Sequence, residues 1–404
     1  MARIIILGAG FAGLWAAIGA ARMRDEIGRA AEVEILVVDR NPYHNIRVRN
    51  YEVDLSEAAI PLGEVLDPIG VAHRLAEVQA IDAVKQQVTV AASDGGREVL
   101  TYDRLVLALG SELARPAIAG LAANGFDVDT YAAAVRLDAH LAALGAEAPS
   151  EARSTVVVVG AGFTGIEVAT EMPGKLDRAG VTDGQRIVLI DPNPAVGITI
   201  GDNASAVINE ALLALGVETR LGVRVTAIEP NAIALSSGEI IPTRTVVWCA
   251  GMRASPLAEA LDVERDRYGR VIVDQFMRVT GAANVFAAGD VACSFVDGVH
   301  ASVMSCQFAR PMGRFAGHNV VADLFGQPML PLHIDWYVTV LDLGAWGALY
   351  TEGWDRQVRT SGAAAKLTKQ TINHVRIYPP RTGDRAEILA AAAPTLQAPP
   401  AVRS

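Results

Sequence analysis

The sequence predicts an α/β protein with two domains of the same three-layer kind, because a strand–loop–helix–strand unit occurs in it twice. In the first unit, residues 3–7 form a short apolar run typical of a buried parallel strand. Residues 8–13, which read GAGFAG, follow this run and open a helical stretch. A second apolar strand at 34–38 ends at Asp39. Short apolar strands that alternate with helices are typical of a parallel sheet covered by helices.

The same series recurs 152 residues later. Residues 155–159 form the strand, residues 160–165 read GAGFTG and precede a helix, and residues 186–190 lead to Asp191. In both units the acidic residue lies 26 positions after the third glycine of the loop. A lone loop of this kind also occurs as a flexible turn, but two loops with matching strands, helices and acids are far more specific. The duplication therefore predicts two Rossmann-like dinucleotide-binding domains.

The residue types in each unit suit the binding of a pyrophosphate. The first glycine permits a tight turn, the second lets the backbone approach the pyrophosphate, and the third lets the helix pack closely on the strand. The N-terminus of the helix offers amide donors and the positive end of its dipole to the phosphates. Asp39 and Asp191 are then placed to accept hydrogen bonds from ribose hydroxyls.

The composition limits the partners and the location of the protein. Hydrophobic residues make up 51% of the 404 residues and charged residues 20%, as in a globular protein. No uncharged run reaches the roughly 18 apolar residues of a membrane helix, and the loop at Gly8 leaves no room for a signal peptide. The net charge of −10 argues against nucleic acid and anionic membranes as partners. The cysteines and histidines form no metal or disulfide pattern, so we expect a cytoplasmic protein without a bound metal.

The order of the two units predicts that one domain is inserted in the other. We expect the first dinucleotide domain at 1–115 and 269–328, the second at 116–268, and a C-terminal lobe and tail at 329–404. Strands are predicted on both sides of a turn at Asp94. The final residues are rich in alanine and proline, and we expect them to form a loose tail.

The C-terminal lobe concentrates aromatic side chains, namely Trp336, Tyr337, Trp346, Tyr350 and Trp354. Such a group packs as core or as a homodimer interface, or it lines an acceptor site, and the sequence leaves these interpretations open. Lys366 and Lys369 are interpreted as a solvated helix face. His44 follows the second strand and is interpreted as a neighbour of the first dinucleotide.

Four motifs in order resemble the two-dinucleotide-binding flavoproteins, which have the pyridine nucleotide–disulfide oxidoreductase fold. They are GAGFAG at 8–13, YDRLVLALG at 102–110, GAGFTG at 160–165 and TGAANVFAAGD at 280–290, so the resemblance spans residues 1 to about 325. It implies FAD at the first loop and a nicotinamide dinucleotide at the second. It also implies that Asp290 contacts the FAD ribityl chain and that the Val78 backbone contacts the adenine. The cofactor-binding residues implied are Gly8, Gly10, Phe11, Ala12, Gly13, Asp39, Arg40, Val78, Ala108, Gly110, Gly160, Gly162, Phe163, Thr164, Gly165, Asp191, Gly251, Gly289 and Asp290.

Within that fold, the stretch around the second loop looks most like the type II NADH dehydrogenases and their soluble relatives. They carry a glutamate two residues after this loop, here Glu167. The helix dipole also favours an acid in the first turn, but we interpret Glu167 as a residue of the nicotinamide side. The resemblance implies hydride transfer from NADH to FAD and then electron transfer to a small, quinone-like acceptor. No Lys or Arg follows Asp191 until Arg220, which favours NADH over NADPH.

Those dehydrogenases also carry two glutamines of a quinone site on the helix after the Asp290 motif. Gln307 matches the first glutamine, and Pro311 replaces the second. Proline inside a helix costs about 3 kcal/mol, so the helix either starts here or is kinked. Gln307 and Glu167 are the predicted catalytic residues. The chain lacks the basic amphipathic anchor of these enzymes, so we expect no peripheral membrane contact.

The cysteines separate this chain from other enzymes of the fold. Disulfide reductases need a close cysteine pair in the first domain, and no cysteine precedes Cys249. Cys249 is interpreted as core, whereas Cys293 and Cys306 leave a sulfide:quinone-type enzyme open. A redox-responsive NADH- and FAD-binding protein of the apoptosis-inducing-factor kind also stays open, as does a reductase for a ferredoxin-type carrier. The acidic composition disfavours the ferredoxin reductase, because such carriers are themselves usually acidic.

Overall fold

The computed structural model describes residues 1–92, 95–198 and 200–402, so the turn expected at Asp94 lies outside the described residues. The first domain is built on a sheet of strands β1 (Ala2–Leu7), β2 (Val33–Asp39), β5 (Ala72–Asp82), β6 (Gln87–Ala92), β7 (Arg97–Thr101), β8 (Arg104–Leu107) and β20 (Val285–Ala287). Their order is β20-β8-β1-β2-β5-β6-β7. Neighbours are parallel from β20 to β5 and antiparallel from β5 to β7. Strand β1 is parallel to both of its neighbours. The glycine loop that follows β1 therefore emerges at the carboxyl edge of the parallel strands.

Two helices, α1 (Phe11–Glu26) and α8 (Cys306–Leu324), pack against each other beside this sheet. Glycines let their backbones touch. A Cβ added to Gly313 would lie 2.3 Å from the Ala12 carbonyl oxygen, and one added to Gly317 would lie 2.1 Å from the Ala16 carbonyl oxygen. This close approach brings the start of α8 next to the first glycine loop.

The second domain is built on a parallel sheet of strands β10 (Gly125–Phe126), β11 (Thr155–Val159), β12 (Arg186–Asp191), β13 (Val217–Leu221) and β17 (Thr245–Trp248). Their order is β10-β17-β11-β12-β13. The helices of this part of the chain are α3 (Leu121–Asn124), α4 (Tyr131–Gly145), α5 (Glu151–Ser154), α6 (Phe163–Arg178) and α7 (Asp202–Ala214). The glycine loop between β11 and α6 again leaves the carboxyl edge of the sheet, as in the first domain.

Smaller elements complete the two domains. An antiparallel sheet contains β14 (Val225–Glu229), β15 (Ala232–Leu235) and β16 (Ile240–Pro242). Paired short strands are β3 (Tyr43–Asn45) with β4 (Ala59–Pro61), β9 (Ser111–Leu113) with β18 (Met252–Ala254), and β19 (Val271–Ile272) with β21 (Ala292–Cys293). The short helix α2 (Leu62–Leu66) follows β4.

The C-terminal lobe bridges both domains. It contains an antiparallel sheet, β22 (Val338–Asp342), β23 (Ala348–Glu352) and β24 (Gln357–Gly362), followed by helices α9 (Ala363–Thr371) and α10 (Arg385–Ala391). Leu341 and Leu349 pack in the core of the second domain, whereas Ile334 and Ile377 pack in the core of the first. The lobe is therefore fixed to both domains by apolar contacts.

The predicted fold class is confirmed, with one dinucleotide domain inserted in the other, but two details differ. Ala254, Ala258 and Leu261 pack in the first core, although the sequence predicts that the second domain runs to residue 268. The chain returns to the first domain at strand β18, which pairs with β9. The residues after β18 therefore pack in the core of the first domain. The described tail is packed rather than loose, because its apolar groups and carbonyls find partners. Ile388 is buried, and the Tyr350 hydroxyl donates to the Pro400 carbonyl at 3.2 Å.

The third glycine of the first loop is required by packing, and this can be tested. A Cβ on Gly13 would lie 1.8 Å from the backbone oxygen of Gly8, whereas a Cβ on Gly10 would meet nothing within 4 Å. We expect Gly13→Ala to lower the free energy of unfolding by about 1–3 kcal/mol or more, because backbone must move. Gly10→Ala should change it by less than about 1 kcal/mol. Urea denaturation of both variants measures this, and equal stabilities would contradict the packing described.

Candidate active site

A large cavity of about 1120 Å³ lies where the two domains meet the C-terminal lobe. Residues 8–12 of the first loop and residues 162–164 of the second both line it. The start of α8 and the strand β22 complete its wall. Because both glycine loops open onto one cavity, ligands bound at the two loops would be able to meet there.

Most of the predicted site residues line this cavity. Those that do not are Gly13, Gly160, Gly165 and Asp191. Gly13 and Gly165 instead lie in the contact between loop and helix, since a Cβ on Gly165 would lie 1.7 Å from the Gly160 carbonyl oxygen. Gly8 and Gly160 adopt positive φ values of +95° and +107°, as the tight turn requires. The residues that line the cavity are Gly8, Gly10, Phe11, Ala12, Asp39, Arg40, Val78, Ala108, Gly110, Gly162, Phe163, Thr164, Glu167, Gly251, Gly289, Asp290 and Gln307.

The acidic residue of each unit anchors its own glycine loop. Asp39 accepts hydrogen bonds from the backbone amides of Ala9 and Asn41, both at 2.7 Å. Asp191 does the same with Ala161 at 2.6 Å and Asn193 at 2.8 Å. Burial raises the pKa of Asp39, although these amides oppose the change. The duplicated sequence therefore forms the same backbone arrangement twice.

The second glycine of each loop borders open space. A Cβ added to Gly10 or Gly162 would meet nothing within 4 Å, although both residues line the cavity. A position this open suits a loop whose backbone is approached by a ligand, because a side chain would occupy the ligand's place. Both loops thus have the geometry expected for a bound pyrophosphate.

His44 contacts the first glycine loop at Ala9 and Phe11. Its Nδ1 lies 2.8 Å from the Ala9 carbonyl oxygen, and its ring meets Phe11 edge-on at 5.1 Å. Burial lowers the pKa of His44 to about 4, so the ring is neutral near pH 7 and Nδ1 carries the hydrogen that it donates. Its interpretation as a neighbour of the first dinucleotide stays a prediction, since the contact shown is with the loop that would hold that ligand.

Asp290 lies in the turn after β20 and belongs to a polar cluster. The Ser111 hydroxyl donates to its carboxylate at 2.7 Å, and Arg47 Nη1 lies 3.6 Å from the same oxygen. Arg47 also pairs with Asp129 and donates to the Ser111 hydroxyl at 2.8 Å. Burial lowers the pKa of Arg47, but the two carboxylates outweigh burial and raise it overall. The cluster holds the Asp290 carboxylate at the cavity wall.

Glu167 forms a buried ion pair across the interface with the C-terminal lobe. Its Oε1 lies 2.7 Å from Lys369 Nζ and accepts the Asp342 amide at 3.1 Å. The interpretation of Lys366 and Lys369 as a solvated face was wrong. Lys369 is 8% exposed, and Lys366 pairs with Glu171 and Asp342. Lys369 is buried and Lys366 half-buried, and three carboxylates compensate their charges.

The excess of carboxylates explains the titration of this group. Burial raises the pKa of Glu167, and Asp342 adds to the effect while Lys369 opposes it. Burial lowers the pKa of Lys369, but the facing Glu167 and Asp342 outweigh burial and raise it overall. Lys369 therefore stays protonated at neutral pH and binds the lobe to α6.

Helix α8 begins at Cys306 and runs through Pro311, so it does not start at the proline. Pro311 lies in the second turn, where the missing amide would have bonded to the Gln307 carbonyl. The Gln307 side chain lines the cavity, and among the described residues its buried Nε2 has no hydrogen-bond partner. A buried donor without a partner is costly, which suggests that a ligand supplies the acceptor.

The comparison with known families agrees with this geometry. The sequence profile of the family described as pyridine nucleotide-disulphide oxidoreductase matches residues 2–313. The chain belongs to this family. The resemblance drawn from the four motifs is confirmed, and so is the expectation of an oxidoreductase.

Relatives in the pyridine nucleotide-disulphide oxidoreductase family include NADH dehydrogenases. The chain is 58% identical over 406 residues to an NADH dehydrogenase-like protein of Mycobacterium tuberculosis, which covers 99% of this chain and 100% of the relative. It is 34% identical to a type II NADH:quinone oxidoreductase of the same organism, over 74% of this chain and 67% of the relative. The structure of NDH2 from Plasmodium falciparum in complex with NADH has a TM-score of 0.77 over 96% of this chain and 98% of that one. At 13% identity that likeness concerns the fold alone.

The three cysteines of this family member are free, with no disulfide between them. Cys249 and Cys306 line the cavity, so the interpretation of Cys249 as plain core is incomplete, whereas Cys293 is buried in β21 and does not line it. Burial raises the pKa of all three thiols, so they are protonated near neutral pH. Among the described residues no group of three or more His, Cys, Asp or Glu side chains could hold a metal ion.

Some aromatic residues of the lobe line the cavity and others pack in the protein core. Trp336 and Tyr337 line the cavity. Trp354 stacks on Tyr337 with ring centroids 4.6 Å apart, and Trp346 packs against the second core.

No helix among the described residues has the length and apolar character that spanning a bilayer requires.

Several residues that line the cavity were missed by sequence reasoning. Arg310 and Arg314 are four residues apart on α8, and that spacing places both on one helix face. This spacing is the sequence signal that could have found them. The others come from distant parts of the chain, and no motif marks them. They include Arg47, Ser111, Lys369, Asn373, Arg376, Leu396, Gln397 and Pro400.

The Glu167–Lys369 pair should be needed for stability. Lys369→Met leaves a carboxylate that is 7% exposed without its cation, so we expect the free energy of unfolding to fall by about 3–5 kcal/mol. The double variant Glu167→Gln/Lys369→Met should recover part of this loss. Lys85→Met, which removes an exposed ion pair with Asp82, is the control and should change little. Thermal or urea denaturation measures all three, and a fully stable Lys369→Met variant would refute the role of the pair.

Proposed function

We propose that this protein is an FAD-dependent oxidoreductase that takes electrons from NADH and passes them to a small quinone-like acceptor. The proposal depends on one observation above all: both glycine loops and the unpartnered Gln307 amide line a single cavity. Electron exchange requires that donor, cofactor and acceptor meet, and a shared cavity permits this. The 58% identity to an NADH dehydrogenase-like protein supports NADH as the donor.

The first loop and its neighbours fit FAD. The open space at Gly10 and the N-terminus of α1 would receive the pyrophosphate. Arg40 and Val78 line the cavity and would contact the adenosine part. Asp290, held by Ser111 and Arg47, would accept hydrogen bonds from the ribityl hydroxyls.

The second loop fits NADH better than NADPH. Gly162, Phe163 and Thr164 line the cavity at the start of α6 and would hold the pyrophosphate. A 2′-phosphate near Asp191 would meet a carboxylate that is itself fixed by two backbone amides. Arg220, the next Lys or Arg along the chain, is already paired with Glu239 at 3.0 Å.

The chemistry that FAD would supply, when bound, is acceptance of a hydride from the nicotinamide and delivery of electrons to the acceptor. The chain's own residues position the ligands and exclude water. Trp336 and Tyr337 cover the cavity from the lobe, and the Glu167–Lys369 pair keeps that lobe against α6. We assign Glu167 a positioning role on the nicotinamide side, because it lines the cavity two residues after the second loop.

Gln307 is proposed to donate a hydrogen bond to a carbonyl oxygen of the acceptor. We expect Gln307→Ala to lower kcat/KM for a short-chain quinone by a few-fold to about a hundredfold, as a lost buried hydrogen bond of about 1–3 kcal/mol implies. The rate of flavin reduction by NADH in stopped flow should stay nearly unchanged. Gln357→Ala, on an exposed strand, is the control. A slower reductive step in Gln307→Ala, or an unchanged kcat/KM, would refute this role.

NADH should be the preferred donor. We expect a higher kcat/KM with NADH than with NADPH, since Asp191 repels a 2′-phosphate and no Lys or Arg follows it along the chain until Arg220. Asp191→Asn should narrow the ratio of the two kcat/KM values, although both values should fall because one of the two amides that Asp191 holds loses its acceptor. Asp177→Asn, which changes an exposed acid of the same domain, should leave the ratio alone. Steady-state kinetics with both donors decide this, and a wild-type preference for NADPH would show the proposal to be wrong.

A further inference from the structure

Three arginines line one part of the cavity, near the start of α8 and the end of α9. Arg310 and Arg314 lie on α8, and Arg376 follows α9. Arg310 is 6% exposed and Arg314 is 4% exposed. Their guanidinium groups stack on the buried ring of Trp15, at 4.8 Å and 4.4 Å from its centroid. This group is called the arginine cluster below.

Two members of the arginine cluster, Arg310 and Arg314, lack the carboxylate partners of Arg49 and Arg270, whereas Arg376 donates to the Ala398 carbonyl. Arg49 pairs with Glu52 and Arg270 with Asp266, both at 2.7 Å. In the part of the chain that the structure describes, no carboxylate lies within 4.0 Å of Arg310 or Arg314. The Nε atoms of both are buried without a hydrogen-bond partner.

Unpaired buried cations are unfavourable, and the two side chains repel each other. Burial lowers the pKa of Arg310 to about 9, with the neighbouring Arg314 adding to the effect. Burial also lowers the pKa of Arg314 to about 10, with Arg376 contributing. A chain with a net charge of −10 that still buries adjacent cations in a cavity wall has the charge pattern of an anion site.

We propose that the acceptor is a quinone that bears an anionic group, such as a carboxylate, and that Arg310, Arg314 and Arg376 bind this group. The inference rests on the proposed function, because it places the quinone ring at Gln307. Gln307 and Arg310 are three residues apart on α8, and both line the cavity. Residues with this spacing are neighbours on a helix surface, so a quinone whose carbonyl binds Gln307 would carry its anionic group beside the arginines. The Trp15 ring below the cation pair holds the guanidinium planes for bidentate contact.

The test compares two acceptors that differ in charge. The oxidised, FAD-loaded protein is titrated by calorimetry, without NADH, with 1,4-naphthoquinone-2-carboxylate and with its methyl ester. Wild type should bind the carboxylate about tenfold to a hundredfold more tightly than the ester, as charge-assisted hydrogen bonds imply. Arg310→Gln and Arg376→Gln should each remove most of this preference and leave the affinity for the ester unchanged or improved. Arg310→Lys should keep part of the preference for the carboxylate. Arg359→Gln, on an exposed strand, is the matched control and should keep the full preference.

The outcomes separate this inference from the proposed function. Arg310→Gln should not lower the melting temperature, because it removes a buried charge that has no carboxylate partner. Arg376→Gln changes a half-buried residue and provides a second, independent test of the same charge preference. If wild type binds the two acceptors equally, or if the variants weaken both acceptors alike, the inference is wrong. If NADH fails to reduce the flavin of the same preparation, the proposed function is wrong, and the charge preference is still read from the calorimetry.

Discussion

The buried pair between Glu167 and Lys369 is the contact on which the rest of the site depends. It joins α6, which starts at the second glycine loop, to α9 of the C-terminal lobe. Around it, Tyr51 of the first domain donates to Asp342, and Asn373 donates to Tyr51. Both domains and the lobe therefore meet in one polar network. Because the lobe forms a wall of the cavity, the shape of the cavity depends on this network.

The two glycine units share a backbone but differ at the position two residues after the third glycine. Trp15 occupies this position in the first unit and Glu167 in the second. Each contacts cations from a later part of the chain, since Trp15 lies under Arg310 and Arg314, and Glu167 binds Lys369. The duplicated loop supplies the same backbone geometry twice. Glu167 itself lines the cavity, whereas the buried Trp15 lies against two arginines that line it.

The parts predictable from sequence are those with local physical signals. Apolar strands, glycines at fixed offsets and terminal acids define the two units, and the structure has them at Asp39 and Asp191 with matching hydrogen bonds. Contacts between distant segments carry no such signal. Lys369 has the sequence environment of an exposed helix residue, and only the fold brings it to Glu167, 202 residues away. The tail is rich in alanine and proline and is predicted to be loose, yet Leu396 and Pro400 line the cavity.

The proposed function requires that electrons pass from a ligand of one loop to a ligand of the other within the shared cavity, and sequential anaerobic mixing tests this most directly. FAD-loaded protein is mixed with NADH, and the absorbance of the oxidised flavin is followed. A second mixing adds a short-chain quinone. We expect NADH to bleach the flavin and the quinone to restore its absorbance faster than dissolved oxygen does. Flavin that NADH leaves oxidised, or that the quinone reoxidises no faster than oxygen, would contradict a shared site for donor and acceptor.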